Sequence, residues 1–189
     1  MEPFRPTRGG GARASLAPAE ASLLRSLVGQ VISLIAPDAP PAPQASDGPL
    51  AEWEAELAGQ TDPAGQTQAA DDPVLARLLP DGYRDDPQAA EEFRKYTESG
   101  LRSAKQQAAQ EMLDTLPGDG GKIRLSRDQA TAWLKALNDV RLALGVRLNV
   151  TEEFEDQWSR LGPQDPQWAA YEVYAWLGAV QESLVQALA

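Results

Sequence analysis

The segment PGDGGKIRLSRDQATAWLKAL, residues 117–137, carries the clearest structural signals in the chain. Its glycine-rich beginning predicts a turn, which leads into a short predicted strand, Lys122 to Leu125. Ser126 and Gln129 then form a capping box, the reciprocal pair of side-chain hydrogen bonds that starts a helix. The segment therefore predicts a strand followed directly by a long helix. The apolar side of that helix consists of Ala130, Trp133, Leu134, Leu137, Leu144 and Leu148.

A similar order of signals occurs near the N-terminus, where Gly10-Gly11 corresponds to Gly120-Gly121 at an offset of 110 positions. The first glycine cluster lies between two short runs within residues 1–16, a pattern that predicts a β-hairpin. Pro6 confines its strand to the edge of a sheet, because proline has no N–H to donate. Two interpretations of this similarity remain open. Either the hairpin and the strand 122–125 pair in one small sheet, or the two segments are similar only because each consists of a strand followed by a helix.

Three Asp-Pro pairs mark predicted helix starts, because aspartate caps a helix N-terminus and proline suits the first turn. Another helix opens at Pro18 and ends before Pro37. We therefore predict a mainly α fold, a helical bundle of about five helices with a small N-terminal β-hairpin and the strand 122–125 as its candidate third strand. The pairs are Asp72-Pro73, Asp86-Pro87 and Asp165-Pro166, and the last helix is predicted to run from Pro166 to the C-terminus.

Residues 37–71 are predicted to form a flexible insert within a single domain that spans 1–189. The part from 37 to 49 contains five prolines with alanine and serine between them. Such a composition cannot bury enough apolar surface to become ordered. Residues 50–58 are amphipathic, and they either dock on the core or stay in solvent with the rest of the insert.

The charge of the chain argues against nucleic acids and membranes as partners. There are 28 acidic and 17 basic residues, which give a formal net charge of −11. This charge repels phosphates and anionic lipids, so we expect no tight autonomous binding to nucleic acid and no membrane association. The N-terminal residues lack the apolar core of a signal peptide, and the most apolar stretch, 23–35, is too short and too polar to span a bilayer. We therefore expect a cytoplasmic protein.

The absence of two residue types removes most catalytic mechanisms. The chain has no cysteine and no histidine, and therefore no thiolate nucleophile, no disulfide, no zinc finger and no imidazole base. Neighbouring acids such as Asp71-Asp72 and Asp85-Asp86 lie at helix starts, where the helix dipole favours negative charge. Helix capping explains these acids better than catalysis does. We expect no cofactor, no metal site and no enzymatic activity.

The first candidate functional group consists of Arg5, Arg8 and Arg13, which form a basic edge on an otherwise acidic chain. A basic edge of this kind suits an acidic protein partner or self-association into a homodimer. The alternative is that these arginines are simply solvated.

The second candidate group starts from Asn138, Asp139 and Arg141, polar residues inside an otherwise apolar helix. Buried polar groups need hydrogen-bond partners, and the last helix offers several. We interpret the group as a buried polar network that fixes the register of two helices; the alternative is a binding site. The candidate partners on the last helix are Glu172, Gln181 and Glu182.

Five motifs occur in order along the chain: FR at 4–5, LRSLV at 24–28, ARLLPDGYRDDP at 76–87, WLKALNDVRL at 133–142, and YAWL at 174–177 with QESL at 181–184. Together they resemble the actinobacterial domain-of-unknown-function family that includes the oxidative-stress regulator AosR. The resemblance covers about residues 1–36 and 72–189 and leaves out the insert.

The resemblance implies a non-enzymatic regulator that senses oxidation through cysteines and acts with an alternative sigma factor on cysteine-biosynthesis genes, so the expected protein partner is a sigma factor or RNA polymerase. Genes of this family typically lie beside the Clp adaptor ClpS, which implies the alternative of an adaptor or accessory protein in Clp-linked protein turnover. This chain departs from the family in having no cysteine. The thiol switch therefore cannot be carried over, and we expect a regulatory protein without cysteine-based sensing.

Overall fold

The computed structural model describes residues 2–36, 72–80, 82, 87–162, 164–165 and 167–189. The predicted insert at 37–71, with its amphipathic piece 50–58, lies outside these ranges. Six helices and three strands occur in the described part, which confirms the prediction of a mainly α fold. The strands are β1 (Glu2–Pro6), β2 (Ala12–Leu16) and β3 (Gly121–Leu125). The helices are α1 (Pro18–Ile35), α2 (Pro73–Leu78), α3 (Pro87–Thr115), α4 (Arg127–Arg147), α5 (Phe154–Arg160) and α6 (Trp168–Leu188).

The three strands form one antiparallel sheet in the order β1-β2-β3. β1 and β2 are the predicted hairpin, and Pro6 lies on an edge strand as expected. β3 joins the other side of β2, with Ile123 opposite Ala14 and Leu125 opposite Ala12. Of the two alternatives open at the level of sequence, pairing in one sheet is therefore the correct one.

Gly120 allows the chain to enter β3 close to the junction between β2 and α1. Its φ is 74°, a left-handed conformation that side chains disfavour. A Cβ at this position would also lie 2.7 Å from the backbone nitrogen of Pro18 and 2.8 Å from the carbonyl carbon of Ala17. The predicted glycine-rich turn thus requires glycine at position 120 for a steric reason.

The helix starts follow local capping chemistry. Ser126 and Gln129 form the predicted capping box at α4, with a Gln129 N–H to Ser126 Oγ distance of 3.2 Å. Asp72 caps α2 by accepting a hydrogen bond from the backbone N–H of Val74 at 2.7 Å. The last helix of the structure is Trp168–Leu188, and the Asp165 carboxylate accepts the backbone N–H of Gln167 just before it; Pro166, where the sequence predicts the helix to begin, lies outside the described residues.

Trp133 of α4 connects the sheet to the helices in the core. Its side chain is fully buried and meets the ring of Phe4 edge-on, with centroids 5.8 Å apart. Its indole N–H donates to Thr115 Oγ1 at the end of α3, over 2.7 Å. Helix α4 also packs on α1, α2 and α6, so it is the central element of the bundle.

None of the helices in the described ranges combines the length and the apolar character that a bilayer-crossing segment needs.

Candidate functional site

The solvent-facing side of the sheet carries a row of three arginines. Arg5 of β1 lies opposite Arg13 of β2, and Arg13 lies opposite Arg124 of β3. All three are exposed, whereas the alternate residues of the strands, such as Ala12 and Ile123, are buried. Residues directly opposite each other in an antiparallel sheet point to the same face, with Cβ atoms about 5 Å apart. We call Arg5, Arg13 and Arg124 the arginine ladder.

The basic surface extends beyond the ladder. Lys122, two residues before Arg124 in β3, is exposed on the same face opposite Ser15. Arg8 is exposed in the hairpin turn. The next row of this face contains one acid, Glu2, opposite Ser15. A chain whose net charge is −11 therefore presents a local basic surface on its small sheet.

The ladder does not hold the sheet together. Within the described ranges, no ion pair or side-chain hydrogen bond joins its three guanidinium groups to an acid. Like charges that lie directly opposite on a sheet are destabilising. Among the described residues, these exposed arginines therefore form no ion pair that would stabilise the strands that carry them.

Sequence reasoning found Arg5, Arg8 and Arg13 but missed Arg124 and Lys122. The first three are near one another in the chain, so a charge count over the N-terminus is sufficient to find them. The other two reach the same surface only through the pairing of β2 with β3. The alternation of basic and apolar residues from Lys122 to Leu125 was the available signal, since alternate residues of a strand share a face.

The two outer edges of the sheet differ. At the β1 edge, the backbone N–H of Phe4 donates to Ser183 Oγ of α6 over 3.2 Å, and Pro3 and Pro6 have no N–H. At the β3 edge, no hydrogen bond from Gly121–Leu125 to any element other than β2 occurs in the described part of the chain. The sheet is therefore closed at β1 and open at β3.

The second candidate group divides into two separate pairs. Arg141 donates from Nη1 to Gln181 Oε1 of α6 over 2.8 Å, and its guanidinium lies 5.2 Å from the centre of the Tyr174 ring. Asp139 is buried, but its partner is Lys105 of α3, with Nζ 2.5 Å from Oδ1. Lys105 was not among the predicted residues.

The remaining members of the predicted network are corrected by the structure. Asn138, Glu172 and Glu182 are exposed, and Glu182 accepts a hydrogen bond from Gln186 one turn later in its own helix. Successive helical residues point about 100° apart, so Asn138 faces solvent while its neighbour Asp139 faces α3. One helix segment therefore sends its polar side chains to three different environments.

The Lys105–Asp139 pair is largely shielded from solvent. Burial raises the pKa of the Asp139 carboxyl above its ordinary value of 3.8, and the hydrogen bond and charge of Lys105 oppose this rise. Only 5% of the Asp139 side chain is exposed. Among the described residues, no group of three or more acids is placed to hold a metal ion.

Comparison with known proteins identifies relatives of this chain. The model of the family described as a domain of unknown function (DUF2017) matches residues 1–188. Proteins named oxidative stress regulator AosR from Mycobacterium bovis and Mycobacterium tuberculosis are each 41% identical to the chain over 189 residues, which cover 93% of this chain and 81% of the relative. No solved structure matches the chain. These matches confirm the resemblance that the five motifs predict.

Proposed function

The chain belongs to the DUF2017 family, and we propose that it is a regulatory protein of the oxidative-stress response that acts by binding a protein partner and not by catalysis. The names of its mycobacterial relatives support the regulatory role. The partner that the family resemblance implies is a sigma factor or RNA polymerase, in the cytoplasm.

The arginine ladder is the observation that carries the proposal. Three exposed guanidinium groups in one row, with Lys122 and Arg8 beside them, offer planar donor pairs that match carboxylates in bidentate geometry. An acidic patch on a partner protein supplies the carboxylates that accept hydrogen bonds from such a row of guanidinium groups. A bound acidic patch would also relieve the repulsion among Arg5, Arg13 and Arg124. Both the new charge pairs and the loss of this repulsion therefore favour binding.

Duplex DNA is a weaker match for the same surface. Affinity for DNA grows with the number of phosphates that basic groups neutralise, and the rest of this chain is strongly acidic. The ladder lies on a short three-stranded sheet and not on a basic helix of the kind that enters the major groove. In gel-shift titrations at about 150 mM salt, we expect no sub-micromolar binding by the protein alone; such binding would contradict the proposal.

Regulation proceeds without a thiol in this chain. There is no cysteine to form a disulfide, and of the two methionines Met112 is fully buried in the core. Hydrogen peroxide should therefore leave partner capture unchanged when only this chain is treated. A loss or gain of capture after that treatment would mean that the chain itself senses oxidation by another route.

Co-purification from the native host tests the proposal. The wild-type chain is expected to retain an oxidative-stress sigma factor or RNA polymerase, and Arg13→Glu/Arg124→Glu to lose it. The matched control is Arg77→Glu/Arg160→Glu, which makes the same charge change at exposed arginines on α2 and α5. Equal capture by both double variants, with unchanged thermal melting, would overturn the role of the ladder. Capture of Clp protease subunits instead would favour the adaptor alternative.

A further inference from the structure

The backbone groups along the open edge of the sheet belong to two basic residues. Thr7 N–H donates to the Gly11 carbonyl over 2.9 Å, which makes Thr7 and Gly11 a hydrogen-bonded pair of the hairpin. Hydrogen-bonded and non-hydrogen-bonded pairs alternate along an antiparallel ladder. The backbone of Arg13 therefore forms its hydrogen bonds with the backbone of Arg5 in β1. The backbone groups of the two residues on either side of Arg13 form their hydrogen bonds with β3.

The same alternation continues across β3. The backbone groups of Ala12 and Ala14 form hydrogen bonds with those of the residues opposite them, Leu125 and Ile123 respectively. The backbone N–H and C=O groups of Lys122 and Arg124 consequently point away from β2, toward the open edge. Their side chains stand on the solvent face, so each of these residues offers a positive charge beside a peptide group that has no hydrogen-bond partner among the described residues.

We infer that the open edge of β3 binds an extended acidic segment of the partner protein, which adds a fourth antiparallel strand to the sheet. Acidic residues at two alternate positions of that segment lie opposite Lys122 and Arg124, and the residue between them is apolar. This inference rests on the proposed function, whose partner it describes more closely. Main-chain hydrogen bonds supply the attachment, and the paired charges supply the selectivity.

Charge determines which strand can occupy this edge. Two copies of the chain that paired through β3 would bring Lys122 and Arg124 of one copy against the same residues of the other. Opposed like charges and basic side chains on an edge strand disfavour that pairing. The positive charge of the β3 edge thus disfavours pairing with a second copy and favours a segment of opposite charge. We expect that the protein does not dimerise through this surface.

A synthetic peptide of alternating glutamate and valine, labelled with a fluorophore and titrated against the full chain, tests the inference. In the inferred register, the glutamate amides point toward β3 and the valine amides point away. N-methylation of the glutamate amides is expected to weaken binding at least about tenfold, since two main-chain hydrogen bonds are lost. N-methylation of the valine amides, the matched control, is expected to change affinity by less than about twofold.

Amide hydrogen exchange gives an independent readout on the unmodified protein. The amides of Lys122 and Arg124 should exchange rapidly in the free chain and slowly with the peptide bound. Those of Ile123 and Leu125, which already bond to β2, should be protected in both states. Arg124→Gln should weaken the peptide about two- to fivefold, and Arg77→Gln, its control, should not weaken it.

The outcomes separate this inference from the proposed function. Equal binding of both N-methylated peptides, with no new protection at Lys122 and Arg124, would overturn strand addition while leaving the ladder as an electrostatic contact for an acidic partner. Absence of binding by every acidic peptide would also overturn strand addition, and the co-purification experiment would then decide the proposed function alone.

Discussion

Lys105 of α3 and Asp139 of α4 form an ion pair inside the helical bundle, with Nζ 2.5 Å from Oδ1. Only 16% of the Lys105 side chain and 5% of the Asp139 side chain are exposed. Among the residues that the structure describes, Asp139 is the one buried residue with a charged or polar side chain. The pair therefore links α3 to α4 at a point where an unpaired charge would have little access to water.

Removal of the lysine alone should be costly. We expect Lys105→Met to lower the free energy of unfolding by about 3 kcal/mol, because it leaves the Asp139 carboxylate buried without a partner. Lys105→Met/Asp139→Leu should recover most of this loss, since no buried charge remains. Urea denaturation at neutral pH measures both, with Lys135→Met at an exposed site of α4 as the control. Equal stability of Lys105→Met and the control Lys135→Met would contradict the prediction.

The stability contribution of Asp139 should depend on pH. Burial raises the pKa of this carboxyl above 3.8, so the folded chain holds its proton more tightly than the unfolded chain does. Stability from this group is then present below the unfolded pKa and is lost as the pH rises through the folded pKa. We expect wild type to lose stability relative to Asp139→Asn across that window in urea titrations. The opposite slope would show that Lys105 lowers the pKa of Asp139 overall.

Arg141 should matter less than a buried ion pair would. Its hydrogen-bond partner, Gln181, is neutral, and its further contact is the face of the Tyr174 ring. Arg141→Leu is therefore expected to cost about 1–2 kcal/mol, the combined size of one hydrogen bond and one cation–π contact. Urea melts of this variant and of Gln181→Leu should show similar losses. A loss above about 3 kcal/mol would mean that an acidic side chain also depends on Arg141.

Relief of the arginine ladder should stabilise the fold while it weakens partner binding. Arg13 lies between Arg5 and Arg124, so Arg13→Gln removes both like-charge contacts at once. We expect a gain of about 0.5 kcal/mol at low ionic strength, and a smaller gain in high salt because screening already reduces the repulsion. Arg77→Gln on α2 is the control. A variant less stable than wild type in low salt would show that Arg13 has a stabilising partner.

Thr115 should stabilise the fold through the indole of Trp133. The Trp133 side chain is fully buried, and its N–H donates to Thr115 Oγ1 over 2.7 Å. Thr115→Val keeps the shape of the side chain and removes the acceptor, so we expect a loss of about 1–3 kcal/mol in urea denaturation. Thr131→Val at an exposed site of α4 controls for the change of residue type. Equal stability of the two variants would mean that another group accepts the indole proton.

Several features could be predicted from the sequence because their causes are local. The capping box of Ser126 and Gln129 needs only residues three apart, and the glycine turn before β3 needs only its own backbone freedom. The mainly α fold follows from helical spacing of apolar residues between such caps. The basic edge at Arg5 and Arg13 was visible because both residues belong to one hairpin.

The partners of polar and charged side chains could not be predicted, since they depend on how distant elements pack. Sequence placed Asp139 in a polar network with the last helix, but the direction of its side chain brings it to Lys105 on α3. Arg141 does reach the last helix, and Asn138 reaches solvent. Successive side chains of a helix point about 100° apart, so these residues face different neighbours, and no local pattern specifies which element lies on each side of α4.

The sequence alone established the helices, the hairpin, the acidic balance and the family to which the motifs point, because each is encoded in neighbouring residues or in simple counts. Packing of the folded chain established the arginine ladder and the open edge of β3. Arg13 and Arg124 are far apart in the chain, and they become neighbours only because the buried residues between them, such as Ala14 and Ile123, must face the same core. That shared burial fixes the register of the two strands, and the register places the charges in one row.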